Sequence, residues 1–197
     1  MMKGVLSICL FVIVLLTGWQ SLVSGFDLPH YILPSPMRVV TAFTTHFWLI
    51  LRHATVTFSE VMLGLIFGAL LGGMTAIALA ASPVIRAVMR PMMVLSQALP
   101  VFALAPILTL WLGYGLVPKI IMALLIIYFP VTSSFFDGLM RTPSSMLDMA
   151  RVMGAKPSAI LLHIRIPAGV PGLASGMRLA AVYAPIGAII GEWVGAS

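Results

Sequence analysis

The stretch Asp148–Pro167, DMARVMGAKPSAILLHIRIP, is the most polar long segment of a chain that otherwise consists of long apolar blocks. Its charged side chains are spread along its whole length, so it cannot be one membrane-spanning helix. Within lipid, every backbone polar group must be satisfied inside a helix or a closed barrel. The stretch therefore indicates a polar element that lies outside the membrane, between two spans.

Helix signals within this stretch predict two short helices with a corner between them. Ser144 or Ser145 is expected to cap the first helix, because a hydroxyl can accept a hydrogen bond from the first turn. Gly154 is placed to stop that helix, and Pro157 suits the first position of the second. Pro167 is expected to end the second helix, since proline cannot continue a hydrogen-bonded helix.

Each short helix carries an apolar face, while the corner has a basic rim. The predicted faces are Met149, Ala150 and Met153 on the first helix, and Ile160, Leu161 and Ile164 on the second. Asp148 and Arg151 are spaced for an ion pair. Such a corner suits insertion into a groove on a partner protein. An interfacial helix resting on anionic lipid would show the same pattern, so both readings stay open here.

The composition places the chain in a membrane. Hydrophobic residues make up 61% and charged residues 8%, and the mean hydropathy is +1.13. Soluble domains carry about 25% charged residues. The net charge of +6 lies in short segments between apolar runs, so no nucleic-acid partner is expected. The single Cys9 can form no internal disulfide.

The apolar runs predict an all-α, polytopic transmembrane bundle of about five spans, forming one domain over 1–197. The expected spans are Val5–Val23, Thr55–Ala81, Met92–Leu112, Ile120–Phe136 and Val170–Trp193. A cleaved signal peptide is the alternative for the first, although the small-residue cleavage site is missing. Basic residues favour a cytoplasmic N-terminus. Those expected inside are Lys3, Arg86, Arg90, Arg141, Arg151, Lys156 and Arg165, and those outside are Arg38, Arg52 and Lys119.

Two connections are expected between the early spans. Residues 24–53 are predicted as a loop with an amphipathic surface helix over Val39–Leu51. His30, His46 and His53 lie in this loop without tight spacing or cysteine companions, so we predict interfacial histidines and no metal site. Residues 82–91 are predicted as a short cytoplasmic connection.

Two spans carry candidate packing or pathway residues. Gly64, Gly68 and Gly72 recur every four residues, which predicts a helix-packing face, with a glycine-lined pore as the alternative. The span Met92–Leu112 contains Pro100 and Pro106, with Gln97 one turn before the first. Prolines free backbone carbonyls that protein or water must satisfy, so these residues are pore or gate candidates. A kinked helix without a pore is the equal alternative.

The polar stretch resembles the EAA loop of ABC importer permeases, whose pattern is Glu-Ala-Ala, three residues, Gly, nine residues, then Ile-x-Leu-Pro. Asp148, Met149 and Ala150 stand at the first positions, Gly154 at the glycine, and Ile164, Ile166 and Pro167 at the end. Asp for Glu, Met for Ala and Ile for Leu depart from the pattern, and the shorter acid reaches less far.

Further stretches are similar to the branch of permeases for nitrate, sulfonates, taurine and a thiamine pyrimidine precursor. They are residues 31–36, the glycine helix, Ala98-Leu99-Pro100, Ala105-Pro106, Gly113-Tyr114-Gly115 and Gly191-Glu192-Trp193. Permeases of this branch usually have a further span after Gly-Glu-Trp, so the closing span is expected to be missing here. They commonly have a basic residue where this chain has Glu60.

The resemblance implies a non-catalytic subunit of the bacterial inner membrane that moves a small organic solute by alternating access. It implies a permease homodimer, a cytoplasmic ATPase that holds ATP and Mg²⁺, a periplasmic or lipid-anchored solute-binding protein, and membrane lipid around the spans. The loop 141–167 would dock the ATPase. The residues carried over are Asp148, Met149, Ala150, Arg151, Gly154, Ala155, Ile164 and Pro167.

Two other functional classes are alternatives to the one that this resemblance implies. An ion-coupled secondary transporter would place carboxylates or broken helices near the midplane, and only Arg178 and Glu192 are candidates. A membrane-embedded enzyme would need a nucleophile with a base or a metal pair, and its usual motifs are absent. A phosphate-binding loop is absent too, so no cofactor is expected in this chain. Residues 29–34, Pro-His-Tyr-Ile-Leu-Pro, resemble a stretch of permeases for a thiamine pyrimidine precursor, which favours that cargo over the alternatives of sulfonates, taurine or nitrate.

Overall fold

The computed structural model describes residues 2–27 and 29–194, with side chains described from Leu6 onward. Over these ranges the regular structure is helical and contains no strand. The helices are α1 (Met2–Gly25), α2 (Pro36–Thr45), α3 (Phe47–Ala81), α4 (Pro83–Ser96), α5 (Val101–Leu112), α6 (Leu116–Met140), α7 (Ser144–Val152), α8 (Pro157–Ile160) and α9 (Ile166–Val194), with a π-helical turn (Leu161–Arg165) between the last two.

The long helices confirm the predicted all-α transmembrane bundle. Within the described part of the chain, four stretches are long and apolar enough to cross a membrane: Leu6–Gly25, Phe47–Ala81, Leu116–Met140 and Pro157–Val194. Helices α4 and α5 meet at a bend of 96° and would make a fifth span if they are counted together. The chain forms two compact units, one up to Thr55 and one from Val56. The prediction of one domain over 1–197 stays a prediction, and Lys3 and residues 195–197 lie outside the described side chains.

The unit up to Thr55 corrects the loop predicted over residues 24–53. Helix α2 begins earlier than expected, at Pro36, because Ser35 takes an extended conformation and its hydroxyl accepts a hydrogen bond from the Arg38 amide at 3.4 Å. Proline at the first helical position is already set at the helical φ. Helix α3 begins at Phe47, eight residues before the predicted start at Thr55. Most of the predicted loop is therefore helical.

The predicted connection over 82–91 is also helical. Helix α3 ends at Ala81, because Ser82 is extended before Pro83, and Ser82 Oγ then accepts from the Ile85 amide at 3.3 Å. Residues that precede proline avoid the helical region. Arg86 and Arg90 therefore project from the first turns of α4 rather than from a loop.

The unit from Val56 is built on the antiparallel contact of α6 with α9. Small residues of α9 face α6 along its whole length, and a Cβ at Gly172 would stand 2.6 Å from the Ser134 carbonyl oxygen. The Gly187 position would stand 2.8 Å from Ala123 Cα. Such stripes let helix backbones approach closely without a hydrophobic driving force in lipid. Ile127, Val131, Ala180 and Ala184 form a fully buried part of this core.

The prediction that the second helix of the polar stretch ends at Pro167 is wrong. This helix runs from Pro157 through the π-helical turn and continues as α9 to Val194. Within the turn, the Ile166 amide donates to the Leu161 carbonyl, which is one residue further back than in an α-helix. A π-turn before a proline relocates the carbonyls that the proline ring would otherwise meet. The last span is therefore joined to the polar corner by a continuous helix.

Candidate functional site

The corner between α7 and α8 is closed by a specific backbone motif. Gly154 has a φ of +80°, which L-residues with a side chain rarely adopt. The Gly154 amide donates to the Arg151 carbonyl at 2.9 Å, and the Ala155 amide donates to the Ala150 carbonyl at 2.9 Å. These two bonds are those of a Schellman motif. The expectation that Gly154 stops the first helix agrees with this geometry.

A small apolar core holds the two arms of the corner together. Leu147, Ala150 and Ile160 are buried, and Ala155 and Ile164 pack against them. The predicted face of α7 is split by this arrangement, because Ala150 faces inward while Met149 and Met153 are largely exposed. Leu147 and Ala150 form the inward face instead. The corner is therefore held by the side chains between its arms.

The outer surface of α7 combines apolar and charged side chains. Val152 is 88% exposed, and Met149 and Met153 are also exposed. Asp148 Oδ1 lies 2.8 Å from Arg151 Nη1, and both side chains are 63% exposed. Exposed apolar groups beside a solvated ion pair are typical of a surface that meets another protein or a membrane.

The predicted serine cap of α7 is wrong. The structure has Pro143 at the cap position, and no side chain closes the first turn. The Met146 amide donates instead to the Pro143 carbonyl at 3.1 Å. Because Ser144 already has helical backbone angles, its hydroxyl cannot reach the amides ahead of it as a capping group would.

The glycine stripe of α3 lies against α6. Gly64, Gly68 and Gly72 are buried, and a Cβ at Gly68 would stand 2.6 Å from Ile127 Cγ2. At Gly72 the same atom would stand 3.0 Å from the Thr132 hydroxyl. These glycines therefore occupy a helix contact within this chain, where any added carbon must displace a neighbour.

The proline-containing region forms an exposed bend. Gln97 follows the last residue of α4, Pro100 precedes α5, and both are exposed. Pro106 lies inside α5, where the helix continues without a break. The bend of 96° lies at residues 97–100. The two prolines therefore differ, since only Pro100 stands at a break between helices. Pore lining by these residues remains a prediction.

A second polar site lies at the opposite end of the helices, where α3, α6 and α9 meet. Glu60 is fully buried, and Lys119 Nζ lies 3.3 Å from its Oε1. Neither carboxylate oxygen of Glu60 receives a well-directed hydrogen bond from the described residues. The Thr57 hydroxyl donates to Glu192 Oε1 at 2.5 Å. We call these four residues the Glu60–Lys119 cluster.

The pairing of Glu60 with Lys119 was not predicted from the sequence, in which Lys119 stands just before the predicted span Ile120–Phe136. Lys119 lies in the first turn of α6, because that helix begins at Leu116. A usable signal was present: the three charged residues stand near the same predicted membrane boundary on three different spans. Opposite charges at one depth of a bundle are expected to pair.

Comparisons with known proteins agree on one family. Residues 64–197 match the family described as binding-protein-dependent transport system inner membrane component. The chain is 50% identical over 188 residues to a probable ABC transporter permease protein of Haemophilus influenzae, covering 95% of this chain and 77% of that protein.

Two more distant relatives carry names that specify a cargo. The chain is 31% identical to the formylaminopyrimidine transport permease protein ThiX of Halalkalibacterium halodurans, covering 95% of this chain and 75% of that protein. It is 30% identical to the riboflavin transport system permease protein RibX of Chloroflexus aurantiacus, covering 91% of this chain and 68% of that protein.

Proposed function

The chain belongs to the family of binding-protein-dependent transport system inner membrane components, and from this premise we propose how its two polar ends serve transport. The chain is a permease subunit of an ABC transporter, a class of subunit that is generally non-catalytic and that works with an ATPase and a binding protein. Membership in this family decides against the alternative of an ion-coupled secondary transporter.

The corner at 141–167 docks the ATPase on the cytoplasmic side. The observation that carries this proposal is the exposed surface of α7, where Val152 is 88% exposed beside the Asp148–Arg151 pair. Basic residues support a cytoplasmic position for this end and for the N-terminus. A short helix with apolar anchors and a basic rim suits a groove on a partner.

Movement of the docked corner is passed to the transport pathway through the helix that leaves it. Because α8, the π-helical turn and α9 are continuous, a displacement of the corner turns the last span as one body. Shifts of packed helices of this kind open and close pathways between two states. We expect this movement to produce alternating access in a permease homodimer. Gln97 and Pro100 at the bend and Pro106 within α5 are the candidate pathway residues.

The cargo proposed is a small nitrogen heteroaromatic, with the pyrimidine precursor of thiamine favoured over sulfonates, taurine or nitrate. The relatives named for formylaminopyrimidine and riboflavin support this choice. A ligand-binding assay on the solute-binding protein encoded beside this gene tests this choice. Tight binding of taurine and no binding of formylaminopyrimidine would contradict the choice of cargo and leave the permease assignment intact.

Co-purification with the partner ATPase tests the docking proposal. Val152→Glu should abolish association, since it places a charge on the exposed apolar surface, whereas Val152→Leu should retain it as the matched control. A second variant exchanges Asp148 and Arg151, which keeps their ion pair but reverses the charge pattern seen by the partner. Unchanged association in both Val152→Glu and the exchanged variant would show that α7 is not the docking helix.

A further inference from the structure

A cavity of about 500 Å³ lies in the unit from Val56, between the junction of α3 with α4 and the corner formed by α7 and α8. Three arginines line it from three separate segments: Arg86 from α4, Arg151 from α7 and Arg165 from the π-helical turn. Segments far apart in the sequence thus bring guanidinium groups to one concave site. Guanidinium groups are the preferred partners of phosphate oxygens.

The positive charges of this cavity are incompletely neutralised. Among the described residues, Arg151 alone of the three pairs with a carboxylate, that of Asp148. The Arg86 Nε donates to the Leu79 carbonyl at 3.0 Å, and its guanidinium carbon lies 5.5 Å from the centroid of the Phe136 ring. The Arg165 Nη1 lies 3.7 Å from Met140 Sδ. Arg86 is therefore fixed in position, and the cavity keeps an excess of positive charge.

An apolar groove of about 760 Å³ adjoins this cavity along one face of α4. The two share Pro83 and Arg86, and the groove is further lined by Ala87, Arg90, Pro91, Val94 and Leu95. Most of these side chains are apolar. A basic cavity that opens into an apolar groove matches an amphiphile with an anionic head and a hydrocarbon tail.

We propose that this cavity binds the phosphate group of an anionic phospholipid, and that the groove along α4 holds one of its acyl chains. The cavity lies where α3, which is long and apolar enough to cross a membrane, ends at Ala81, and the ends of membrane-spanning helices stand near the lipid head groups. Basic pockets between membrane helices on the cytoplasmic side are suited to such head groups. A free phosphate ion or an acidic side chain of a partner would use the arginines but not the groove.

The test places the purified full chain in nanodiscs of phosphatidylcholine with and without phosphatidylglycerol. Native mass spectrometry then measures how much phosphatidylglycerol stays bound to the protein. Arg165→Gln should lower retention about five-fold, because one basic side chain near the surface contributes about a kilocalorie of lipid attraction. Arg165→Lys should retain most of the binding. Arg141→Gln is the matched control. Arg141 directly follows Met140, which contacts Arg165, but Arg141 lines another cavity.

A second pair of variants tests the groove without changing charge. Ala87→Trp should fill the groove and lower retention, whereas Val88→Trp should not, since Val88 is exposed and lies outside the groove lining. Equal losses for Arg165→Gln and Arg141→Gln would indicate diffuse attraction and overturn the proposal. Retention unaffected by Ala87→Trp, with inorganic phosphate displacing the lipid, would assign the cavity to a free phosphate. Unchanged retention in Arg165→Gln, with loss of ATPase association, would assign the arginines to the partner protein.

Discussion

The two ends of the helix bundle use the same chemistry in opposite surroundings. At one end, Glu60 is fully buried and Lys119 is 14% exposed, whereas at the other end Asp148 and Arg151 are each 63% exposed. Helix α6, which runs between these ends, is about 37 Å long. Both sites contain a carboxylate beside a cationic side chain. Burial decides which of them holds the fold together.

The difference follows from what water can replace. An exposed pair at i,i+3 exchanges one solvated arrangement for another, so it contributes at most a few tenths of a kcal/mol. A buried pair has lost its hydration, and removal of one partner leaves a charge that nothing in the surroundings compensates. The Glu60–Lys119 cluster is therefore structural, while the pair on α7 is available to a partner protein.

Lys119→Met gives the largest expected effect on this comparison. The variant leaves the buried Glu60 carboxylate unpaired, with Glu192 nearby, and should lower the free energy of unfolding by about 3–5 kcal/mol. Denaturant titration of the full chain in mixed micelles measures the change. A loss below about 1 kcal/mol would show that water reaches Glu60 and that the two ends differ less than their burial indicates.

The control for this variant removes both partners. Glu60→Gln combined with Lys119→Met takes away both charges and should recover most of the lost stability, because no unpaired charge then remains buried. Lys119→Arg keeps the charge at the same place and should cost less than Lys119→Met. If the double variant is as unstable as Lys119→Met, the cost arises from packing and not from the unpaired charge.

Gly191→Ala gives an intermediate effect at the same end of the bundle. A Cβ at this position would stand 3.0 Å from Lys119 Cα and 3.2 Å from its Cβ. The clash should push α9 away from the helix that carries Lys119 and lower the free energy of unfolding by about 1–3 kcal/mol. Gly73→Ala is the matched control, since nothing lies within 4 Å of the added carbon. Equal stability of both variants would mean that α6 and α9 separate here without cost.

The corner could be predicted from sequence because local signals determine it. Gly154 and Pro157 act on their own neighbourhood, and both stand where the sequence placed them. The predicted helix end at Pro167 was wrong because the π-helical turn Leu161–Arg165 accommodates the proline and lets the helix continue. Lys119 was missed for a different reason. Its partner Glu60 is distant in the chain, and a pair of this kind depends on which helices become neighbours.

The α7 surface, in contrast, should change stability the least. In a double-mutant cycle of Asp148→Asn and Arg151→Gln, the coupling energy should stay within about 0.5 kcal/mol, because solvent and salt screen an exposed pair. Denaturant titration at low and high salt measures it, and the coupling should fall further as salt is added. A coupling above about 1.5 kcal/mol that salt does not reduce would mean that the pair supports the fold as the Glu60–Lys119 cluster does. A small coupling instead leaves both side chains free to change partners when another protein approaches, since little stability is lost when their mutual contact is exchanged.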